Sequence, residues 1–468
     1  MTRSTPFVRI VILSFDGGQM TIDCINSVLR TSWPRDRFEI VMVDNGSLDD
    51  VSTRVRRDYP MVRVLEPLRN LGFAGGCNLG LSATVDSDGR DLQAYEFAAL
   101  INNDATVDTG WLEGLLSGFD AGTDVGAVSA KMLFADRYTG IDISVSDTSA
   151  IGGGDDRLVG VCVSAVRIDG KREDGRLQFD EGFHGPVAHD ASRDEEFARW
   201  SKTSGSLRIS ETRPDPTVAQ TVSLRLSAET PRTVTLKTDI DEVTVVIGGG
   251  YAEKKPVFSW VDVRVGSDVF DVVNNVGSNL YQRGFGGDRG FLERDRGQYE
   301  QAAEVFAWCG GAVLLRAEYL DAVGLFDERL FLYYEDTDLS WRGRLQGWRY
   351  IYTPEAVVRH RHAQSSGVGS DVFRFHTERN RLLVLAKNAP MWLAVRSGLG
   401  EVKRTFVVNV RHLVLRPLTL RMPARPEARH RRRVLKSYLT LLPAMLRDRW
   451  MMNRRISRGS LMKWEVSK

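Results

Sequence analysis

The sequence predicts an α/β protein with a doubly wound, mostly parallel sheet, an inserted antiparallel β-sandwich and a basic, helical C-terminal region. Three observations predict this. Short β-branched runs alternate with segments of helical period from residue 7 to about 134, alternating apolar and polar residues replace them from about 138 to 272, and positive charge concentrates in residues 391–468. At 468 residues, 42% of them hydrophobic, the chain can form two or three packed domains.

Five strands are predicted in the first segment, at 8–13, 39–43, 62–66, 97–101 and 125–129. Ile22, Ile25 and Val28 recur at helical spacing after the first strand. In the insert, Val222, Leu224 and Leu226 alternate with polar residues, which indicates strands with one buried face. We place domain boundaries at 1–137, 138–273, 274–390 and 391–468, and we expect the glycine- and arginine-rich segment 274–298 to be a loop.

The four cysteines lie far apart in the sequence, so neither a disulfide framework nor a cysteine zinc site is expected, and a reducing compartment fits best. The apolar run 7–13 is too short for a signal peptide and is soon followed by Asp16. Since no run reaches 18 apolar residues, we expect no membrane span.

Polar or glycine-rich motifs follow four consecutive predicted strands. Ligands of open parallel sheets bind beyond the carboxyl ends of the strands. Acids and amides there can hydrogen-bond a nucleobase and ribose, and a glycine-rich turn opening a helix lets a phosphate approach. A single such motif is equally well a turn with a helix cap, but four together favour a nucleotide site. The residues are Ser14, Phe15 and Asp16; Asp44, Asn45, Gly46 and Ser47; Asn70, Gly72, Phe73, Gly75, Gly76 and Asn78; and Asn102, Asn103 and Asp104.

A second cluster places three carboxylates, Glu335, Asp336 and Asp338, ahead of a predicted helix. Burial and mutual repulsion would raise the pKa of one of them towards useful basicity. The alternative is an exposed acidic helix N-terminus, which the helix dipole favours. Aromatic residues at 331–334 and Trp341 favour partial burial.

These motifs resemble, in order, those of the family 2 glycosyltransferases, which are inverting enzymes with a GT-A fold. The similarity is greatest to the bacterial branch that makes cell-surface polysaccharides, the rhamnosyl- and galactofuranosyltransferase-like enzymes. It covers about residues 7–134 and 274–390 and includes the runs 324–328 (GLFDE) and 333–342 (YYEDTDLSWR), then Gly347 and Trp348 ahead of Pro354 and His360. The resemblance implies a UDP- or dTDP-sugar donor, a divalent metal (Mg²⁺ or Mn²⁺) and hexosyl transfer.

The resemblance also implies a metal site. Asp104 holds the last position of the family's D-x-D motif, while Asn102 replaces the carboxylate at the first position. His360 is implied as a second metal ligand. Its alternative role is a histidine that ends a strand and bonds to the backbone, and His362 is the other candidate ligand.

For the chemical step, the resemblance implies that Asp336 is the general base and that Glu335 orients the acceptor. A base acting opposite the leaving group implies inversion at the anomeric carbon. Trp308, Gly310 and Gly311 are implied to line the acceptor side, although a tryptophan is as often a core residue.

The C-terminal region, residues 391–468, holds 19 Lys or Arg against four acidic residues. Apolar runs at 406–415 and 439–446 lie between arginine clusters at 430–433 and 454–458, a mixture typical of a helix on an anionic membrane. A solvated helical cap is the alternative. Regularly spaced stacking aromatics are absent from the sequence, so no nucleic-acid partner is expected.

We therefore expect an inverting, metal-dependent glycosyltransferase that acts from the cytoplasmic side, peripheral at the inner face of the plasma membrane, on a cell-surface glycan or lipid-linked precursor. The insert would recognise the acceptor, with homo-oligomerisation or a cover for the active site as alternatives. The rival functions are a nucleotidyltransferase on a related α/β fold and a catalytically degenerate glycan-binding protein.

Overall fold

The computed structural model describes residues 5–152, 155–185, 198–248, 251–252, 255–361, 370–414 and 425–467. Contacts divide the chain into two compact units. The core unit comprises the chain up to Ala135 and from Val273 onward, and the insert unit is Asp136–Val272.

The core unit alternates strands and helices in the order that the sequence predicts for residues 7–134. Its strands are β1 (Val8–Ser14), β2 (Phe38–Asp44), β3 (Arg63–Leu65), β4 (Phe97–Asn102), β5 (Ala105–Val107), β6 (Val125–Phe134), β7 (Val273–Asn275), β8 (Ser278–Tyr281), β9 (Phe285–Asp288), β10 (Ala303–Glu304), β11 (Ala312–Arg316), β12 (Arg349–His360) and β13 (Glu465–Val466). Its helices are α1 (Gly18–Leu29), α2 (Val51–Asp58), α3 (Gly72–Ser82), α4 (Trp111–Ser117), α5 (Ala317–Val323), α6 (Glu335–Gln346), α7 (Asp371–Asn388), α8 (Met391–Val414) and α9 (Arg425–Met451).

The main sheet has the order β10-β12-β6-β11-β4-β1-β2-β3, and β7 and β5 pair at its side with β6 and β12. β1 is parallel to β2 and β4, and β2 is parallel to β3. β11 is antiparallel to both β4 and β6, and β12 is parallel to β6. The sheet is therefore parallel from β3 to β4 and mixed beyond β4.

Helices cover both faces of this sheet, because β1 is apolar on both sides. Ile10 and Ile12 pack in one core with Ile25 of α1, while Val11 packs in a second core with Cys77 of α3. Strands buried on both faces are typical of doubly wound folds. The predicted fold class is confirmed.

Glycines let α3 lie close against the sheet. A Cβ on Gly76 would lie 2.4 Å from Leu13 Cδ1, and one on Gly80 would lie 2.5 Å from Val11 Cγ1. The glycine-rich motif therefore serves helix packing in addition to its loop.

The insert unit is a β-sandwich, as predicted. One sheet runs through 171–172, 162–168, 220–227 and 259–265, with 199–200 at its side, and the other through 177–179, 204–210, 138–145, 232–237 and 242–247. Apolar side chains of both sheets meet in one core, for example Leu224 and Val263 with Ile143 and Leu236. Its strands are Tyr138–Val145, Ser149–Gly152, Asp155–Val159, Cys162–Ile168, Lys171–Arg172, Leu177–Phe179, Arg199–Trp200, Ser204–Ser210, Gln220–Ser227, Arg232–Lys237, Glu242–Ile247, Tyr251–Ala252, Lys255–Pro256 and Ser259–Val265.

The C-terminal helices pack on the core unit. Val434, Tyr438 and Met445 of α9 are buried in one cluster with Trp341 of α6 and Leu383 of α7. One face of α9 is thus internal, while Leu439 and Trp450 are exposed. Among the described residues, no helix is both long enough and apolar enough to cross a membrane.

Several tail arginines bind groups of the same unit. Arg431 pairs with Glu427 at 2.7 Å, Glu378 at 3.0 Å and Glu401 at 3.5 Å. Arg449 donates to the carbonyl of Ala389 at 2.7 Å. Part of the positive charge of the tail therefore stabilises its own packing.

Candidate active site

The carboxyl ends of β1, β2 and β4 meet at one edge of the sheet. Ser14 is in register with Asp44, and Leu13 with Asn102. The amide of Asn45 donates to the Ser14 carbonyl at 2.8 Å. Parallel pairing thus brings together the motifs that the sequence places after three different strands.

The loops after β1 and β2 are bonded to each other. The Asp16 amide donates to Ser47 Oγ at 3.0 Å, and the Leu48 amide donates to Asp16 Oδ1 at 2.7 Å. Ser47 in turn donates its amide to Asp44 Oδ1 at 3.1 Å. Asp16 has a φ of +49°, and Phe15 beside it is 39% exposed. These bonds fix the shape of the predicted nucleotide edge.

Two asparagines hold the glycine-rich loop. Asn45 donates to Asn70 Oδ1 and to the Gly72 carbonyl, both at 3.1 Å, while its own Oδ1 accepts from the Leu71 amide at 2.9 Å. Gly72 has a φ of +72°, and a Cβ there would lie 2.4 Å from the Phe331 carbonyl oxygen. Asn45 and Asn70 therefore shape this loop, and a direct bond from either to a nucleotide stays a prediction.

Asn78 joins the two halves of the core unit. Its side chain donates to the Phe326 carbonyl and to Glu328, both at 3.0 Å, and accepts from the Phe326 amide at 3.0 Å. Phe73 packs edge-on against Phe326, with ring centroids 6.1 Å apart. The amide predicted to bind the nucleotide thus makes its described contacts within the protein.

Asp104 and His360 form the candidate metal pair. His360 Nε2 lies 3.0 Å from Asp104 Oδ1, and both side chains are 8% exposed. Asn102 Nδ2 lies 3.3 Å from the same imidazole nitrogen. Asn103, in contrast, donates to Thr21 Oγ1 at 3.1 Å and thereby anchors the loop to α1.

The imidazole is oriented by Asn274 of β7. His360 Nδ1 lies 3.0 Å from Asn274 Oδ1, and this contact holds the ring with Nε2 facing Asp104. An oriented imidazole next to a carboxylate suits a divalent cation that completes its shell with phosphate and water. The described residues contain no cluster of three or more His, Cys, Asp or Glu that could hold a metal, so a cation at this pair would need ligands from phosphate and water as well. His362 lies outside the described residues.

The acidic cluster begins α6 after a strained turn. Phe331, Tyr333 and Tyr334 have φ values of +65°, +67° and +69°, a region that non-glycine residues rarely adopt. Asn380 of α7 holds this turn by donating its side-chain amide to three carbonyls. Sequence reasoning missed Asn380, since its partners are about 50 positions away.

Asp336 faces the turn that precedes β11. Its Oδ2 accepts from the Gly310 amide at 3.3 Å, while Oδ1 accepts from the Thr337 amide at 2.6 Å. The Gly311 carbonyl accepts from the Asn102 amide at 3.0 Å. The Gly310-Gly311 turn therefore connects the end of β4 with the carboxylate of Asp336.

Glu335 and Asp336 are a coupled pair of carboxyl groups. Removal from water raises the pKa of Asp336, and burial followed by repulsion from Asp336 raises the pKa of Glu335 well above its usual range. Glu335 is 6% exposed, and its Oε2 has no hydrogen-bond partner among the described atoms. Of the two, Glu335 therefore has the more strongly raised pKa, and Asp336 ionises before it.

The third carboxylate of the cluster, Asp338, is structural. It is fully buried, and its oxygens accept from Arg342 at 2.8 Å, Lys387 at 2.9 Å and Asn388 at 2.7 Å. Both oxygens of this carboxylate are therefore occupied by donors of the protein. Asp338 is therefore excluded as an alternative base.

Trp308 is a core residue. It is completely buried and packs edge-on against Phe326, with ring centroids 5.9 Å apart. Neither face of the indole is exposed, so Trp308 is not among the residues that we propose to contact the acceptor. Gly310 and Gly311 line the turn beside Asp336.

Asp288 is a site residue that the sequence did not reveal. The segment 274–298, predicted to be a loop, contains β8 and β9, and Asp288 ends β9. Asn275 donates to Asp288 Oδ1 at 2.5 Å. Burial raises the pKa of Asp288 to about 6, with the hydrogen bond from Asn275 opposing the shift and repulsion from Asp336 assisting it. Neighbouring Asn274 and Asn275 thus bond to the candidate metal ligand His360 and to this carboxyl group respectively.

Comparisons with known proteins agree with these motifs. Residues 9–139 match the profile of the family described as Glycosyl transferase family 2. Over 69 residues the chain is 42% identical to an N-acetylglucosaminyl-diphospho-decaprenol L-rhamnosyltransferase of Mycobacterium tuberculosis, covering 14% of this chain and 22% of the relative. Over 137 residues it is 26% identical to Glycosyltransferase AglE of Haloferax volcanii, covering 29% and 42% of the two chains. The matches thus span less than half the length of these relatives.

Solved structures with overall similarity include GalNAc-T7 with UDP, GalNAc and Mn²⁺ (TM-score 0.44, 11% identity, covering 96% of this chain and 59% of that one). Another is the mannosyltransferase PcManGT from Pyrobaculum calidifontis in complex with GDP-Man and Mn²⁺ (TM-score 0.39, 12% identity, covering 94% and 88%).

The profile match contains all four strand-end motifs, from Ser14 to Asp104, which the parallel half of the sheet brings to one edge. Residues 9–139 of this chain are therefore similar to glycosyl transferase family 2 over the segment that carries these motifs.

Proposed function

We propose that the chain is an inverting glycosyltransferase that moves a sugar from a nucleotide-diphosphate sugar, UDP- or dTDP-linked, to a hydroxyl group. The observation that carries this proposal is the Gly310-Gly311 turn. The Gly311 carbonyl accepts from the Asn102 amide at the end of β4, and β4 leads directly to Asp104. The Gly310 amide donates to Asp336. A donor edge and a carboxylate of raised pKa thus lie on either side of one short turn.

Asp336 is the proposed base. It accepts the proton of the acceptor hydroxyl as the hydroxyl oxygen bonds to the anomeric carbon, and the bond from that carbon to the diphosphate oxygen breaks. The nucleoside diphosphate leaves with the electron pair of that bond. Attack from the face opposite the diphosphate inverts the anomeric configuration. A raised pKa suits the role, since a base works best with a pKa near the working pH.

Glu335 is proposed to orient the acceptor. Its raised pKa keeps the carboxyl group protonated, and its buried Oε2 is without a protein partner among the described residues. A neutral carboxylic acid both donates and accepts hydrogen bonds. It can therefore hold one acceptor hydroxyl while Asp336 takes the proton of the reacting one.

Asp104 and His360 would hold Mg²⁺ or Mn²⁺. The cation, when bound, neutralises charge on the departing diphosphate. Asn274 keeps the imidazole in the orientation that presents Nε2. Ser14, Asp16 and the Asp44 loop would receive the nucleoside at the same sheet edge.

The acceptor is proposed to be a cell-surface glycan or a lipid-linked precursor, reached from the cytoplasmic side at the inner face of the plasma membrane. The M. tuberculosis relative, named for a diphospho-decaprenol substrate, supports a lipid-linked acceptor. The insert unit is proposed to help recognise it, because a polar groove of about 710 Å³ there is lined by Asp142, Glu181, Lys202, Lys237 and Glu242 among others.

A panel of nucleotide sugars, titrated with and without Mn²⁺, tests the proposal. Metal-dependent binding of one donor, and release of nucleoside diphosphate on transfer, are the expected results. Release of pyrophosphate would indicate a nucleotidyltransferase, and absence of both transfer and donor hydrolysis would indicate a degenerate glycan-binding protein.

Asp104→Ala should weaken metal-dependent donor binding while metal-free nucleoside binding persists. Equal loss of binding in both conditions would show that Asp104 has a structural role instead.

A further inference from the structure

Helix α8 carries an apolar face that the described residues do not cover. Its other face is packed: Leu393, Ala394 and Glu401 are buried, and a Cβ on Gly398 would lie 2.9 Å from the hydroxyl of Tyr438 on α9. This packing fixes the rotation of the helix about its axis. The side chains on the opposite face are therefore presented outward by the fold.

Five exposed apolar residues, here called the α8 stripe, follow one another at spacings of three, four, three and four residues. With about 100° of rotation per residue, they fall within an arc of roughly 80°. Their exposed fractions range from 42% to 67%. Such a contiguous apolar row on a folded surface indicates an interaction site. The residues are Trp392, Val395, Leu399, Val402 and Phe406.

Basic residues border the stripe. Arg396, Lys403 and Arg404 are exposed, and on the helical projection Arg396 and Lys403 lie about 20–40° beyond the edge marked by Trp392. The single acidic residue of α8, Glu401, is buried and 3.5 Å from Arg431. Arg404 lies 4.0 Å from this carboxylate, so Arg396 and Lys403 are the two border cations of the helix for which the described residues show no such ion pair.

We propose that the α8 stripe inserts into the surface of an anionic lipid bilayer, with Arg396 and Lys403 at the level of the headgroups. Apolar side chains of an interfacial helix enter the acyl boundary while long cationic ones extend to the phosphates. A second copy of this chain is a poorer partner, because it would bring the same basic border against its own. This proposal goes beyond the transfer reaction. It assigns the membrane-facing role to the α8 stripe and not to the apolar run 439–446, part of which is buried.

Co-sedimentation with phosphatidylcholine vesicles, with and without phosphatidylglycerol, tests the proposal on the full chain. We expect binding to the anionic vesicles that weakens as salt rises. The double variant Leu399→Ser/Phe406→Ser should lower the partition coefficient about tenfold or more, since burial of two large apolar groups is lost. Val246→Ser, which alters a 69% exposed apolar residue of the insert unit, is the matched control and should bind as the original chain does.

Arg396→Gln/Lys403→Gln should reduce both the binding and its dependence on salt. Failure of the original chain to bind anionic vesicles at low salt, or unchanged binding of the serine variant, would overturn the proposal. So would a dimer, seen by sedimentation velocity, that the serine variant abolishes in the absence of lipid. Transfer to a water-soluble acceptor should persist in the serine variant, which separates this proposal from the proposed reaction.

Discussion

Neighbouring carboxylates at the start of α6 differ in their chemistry because of their partners. Asp338 is bound by Lys387 and Arg342, so its carboxyl group is held in place inside the core. Asp336 accepts from the backbone at Gly310 and Thr337 and lies half-buried at the surface of the site. The sequence cannot separate the two, because Lys387 and Asn388, which also bind Asp338, lie 49 and 50 positions later on α7.

Asp336→Asn should lower turnover by about 10²–10⁴ with little change in donor affinity, since the amide cannot accept the proton. Glu335→Gln should keep most of the turnover and raise the KM for the acceptor, because glutamine resembles the neutral acid that the raised pKa predicts. Steady-state kinetics and donor titration on both variants check this. The opposite ranking would make Glu335 the base.

Asp338→Asn is the comparison for these variants. It should cost about 3–5 kcal/mol in the free energy of unfolding, because Lys387 and Arg342 lose a buried counter-charge. Donor binding per folded molecule should stay the same. A fold that tolerates Asp338→Asn without loss of stability would contradict the structural role assigned here.

Asp288 should make stability depend on pH. Its folded pKa of about 6 lies above the usual 3.8, so protonation favours the folded state, and this contribution is lost as the pH rises from about 4 through 6. Asp288→Asn removes the buried charge. The variant should therefore gain about 3 kcal/mol relative to the original chain between pH 4 and pH 8. Urea unfolding across this range measures the difference, and a constant difference would contradict the assignment.

At the scale of elements, the local sequence pattern was sufficient to predict most strands of the parallel part of the sheet. The predicted strands at 8–13, 39–43 and 97–101 lie within β1, β2 and β4, because buried parallel strands are continuous apolar runs. The pattern could not predict which strands pair. β11 lies antiparallel between β4 and β6, and nothing local to residues 312–316 indicates these neighbours. β8 and β9 were missed since their glycines resemble a loop.

The candidate site was likewise predictable only in part. The motifs predict which residues gather at the sheet edge, but they do not reveal that Asn78 bonds to the loop at Phe326 or that Asn274 orients His360. Such supporting contacts join segments far apart in the chain. They leave no spacing signal, so a single sequence cannot predict them.

Two neighbouring side chains of α7, Arg379 and Asn380, hold the turn before α6. Asn380→Ala should remove the side-chain donor to the Leu332 and Tyr333 carbonyls, at about 1–3 kcal/mol for each lost bond to a buried group, and loosen the left-handed residues of the turn. The Leu330 carbonyl keeps its bond from Arg379. We expect a lower melting temperature and a lower turnover, with donor affinity nearly unchanged. Asn409→Ala on α8, whose side chain bonds only to the Thr405 carbonyl among the described contacts, is the matched control. Equal effects of the two variants would show that Asn380 has no special role.

At the scale of the whole molecule, the chain leaves and re-enters the core unit at neighbouring points. Leu133 of β6 pairs with Val273 of β7. Within the insert unit, Tyr138 and Phe270 exchange backbone hydrogen bonds of 2.9 Å, so the two ends of that unit also meet. A unit whose ends meet, and which has its own buried core, fits the usual definition of an inserted domain.

Excision of residues 136–272, with a short glycine-serine linker in their place, should therefore leave a core unit that binds the donor with unchanged affinity. The insert expressed alone should unfold in one cooperative transition, since its core uses both of its own sheets. Excision of 136–210 is the control, because it splits the sandwich and exposes apolar strands, and it should aggregate. Loss of donor binding in the first variant would show that the two units fold together.

The same excision variant also tests acceptor recognition. Intact donor binding with loss of transfer to a glycan acceptor would assign acceptor recognition to the insert, because the donor edge, Asp336 and Glu335 all remain in the core unit.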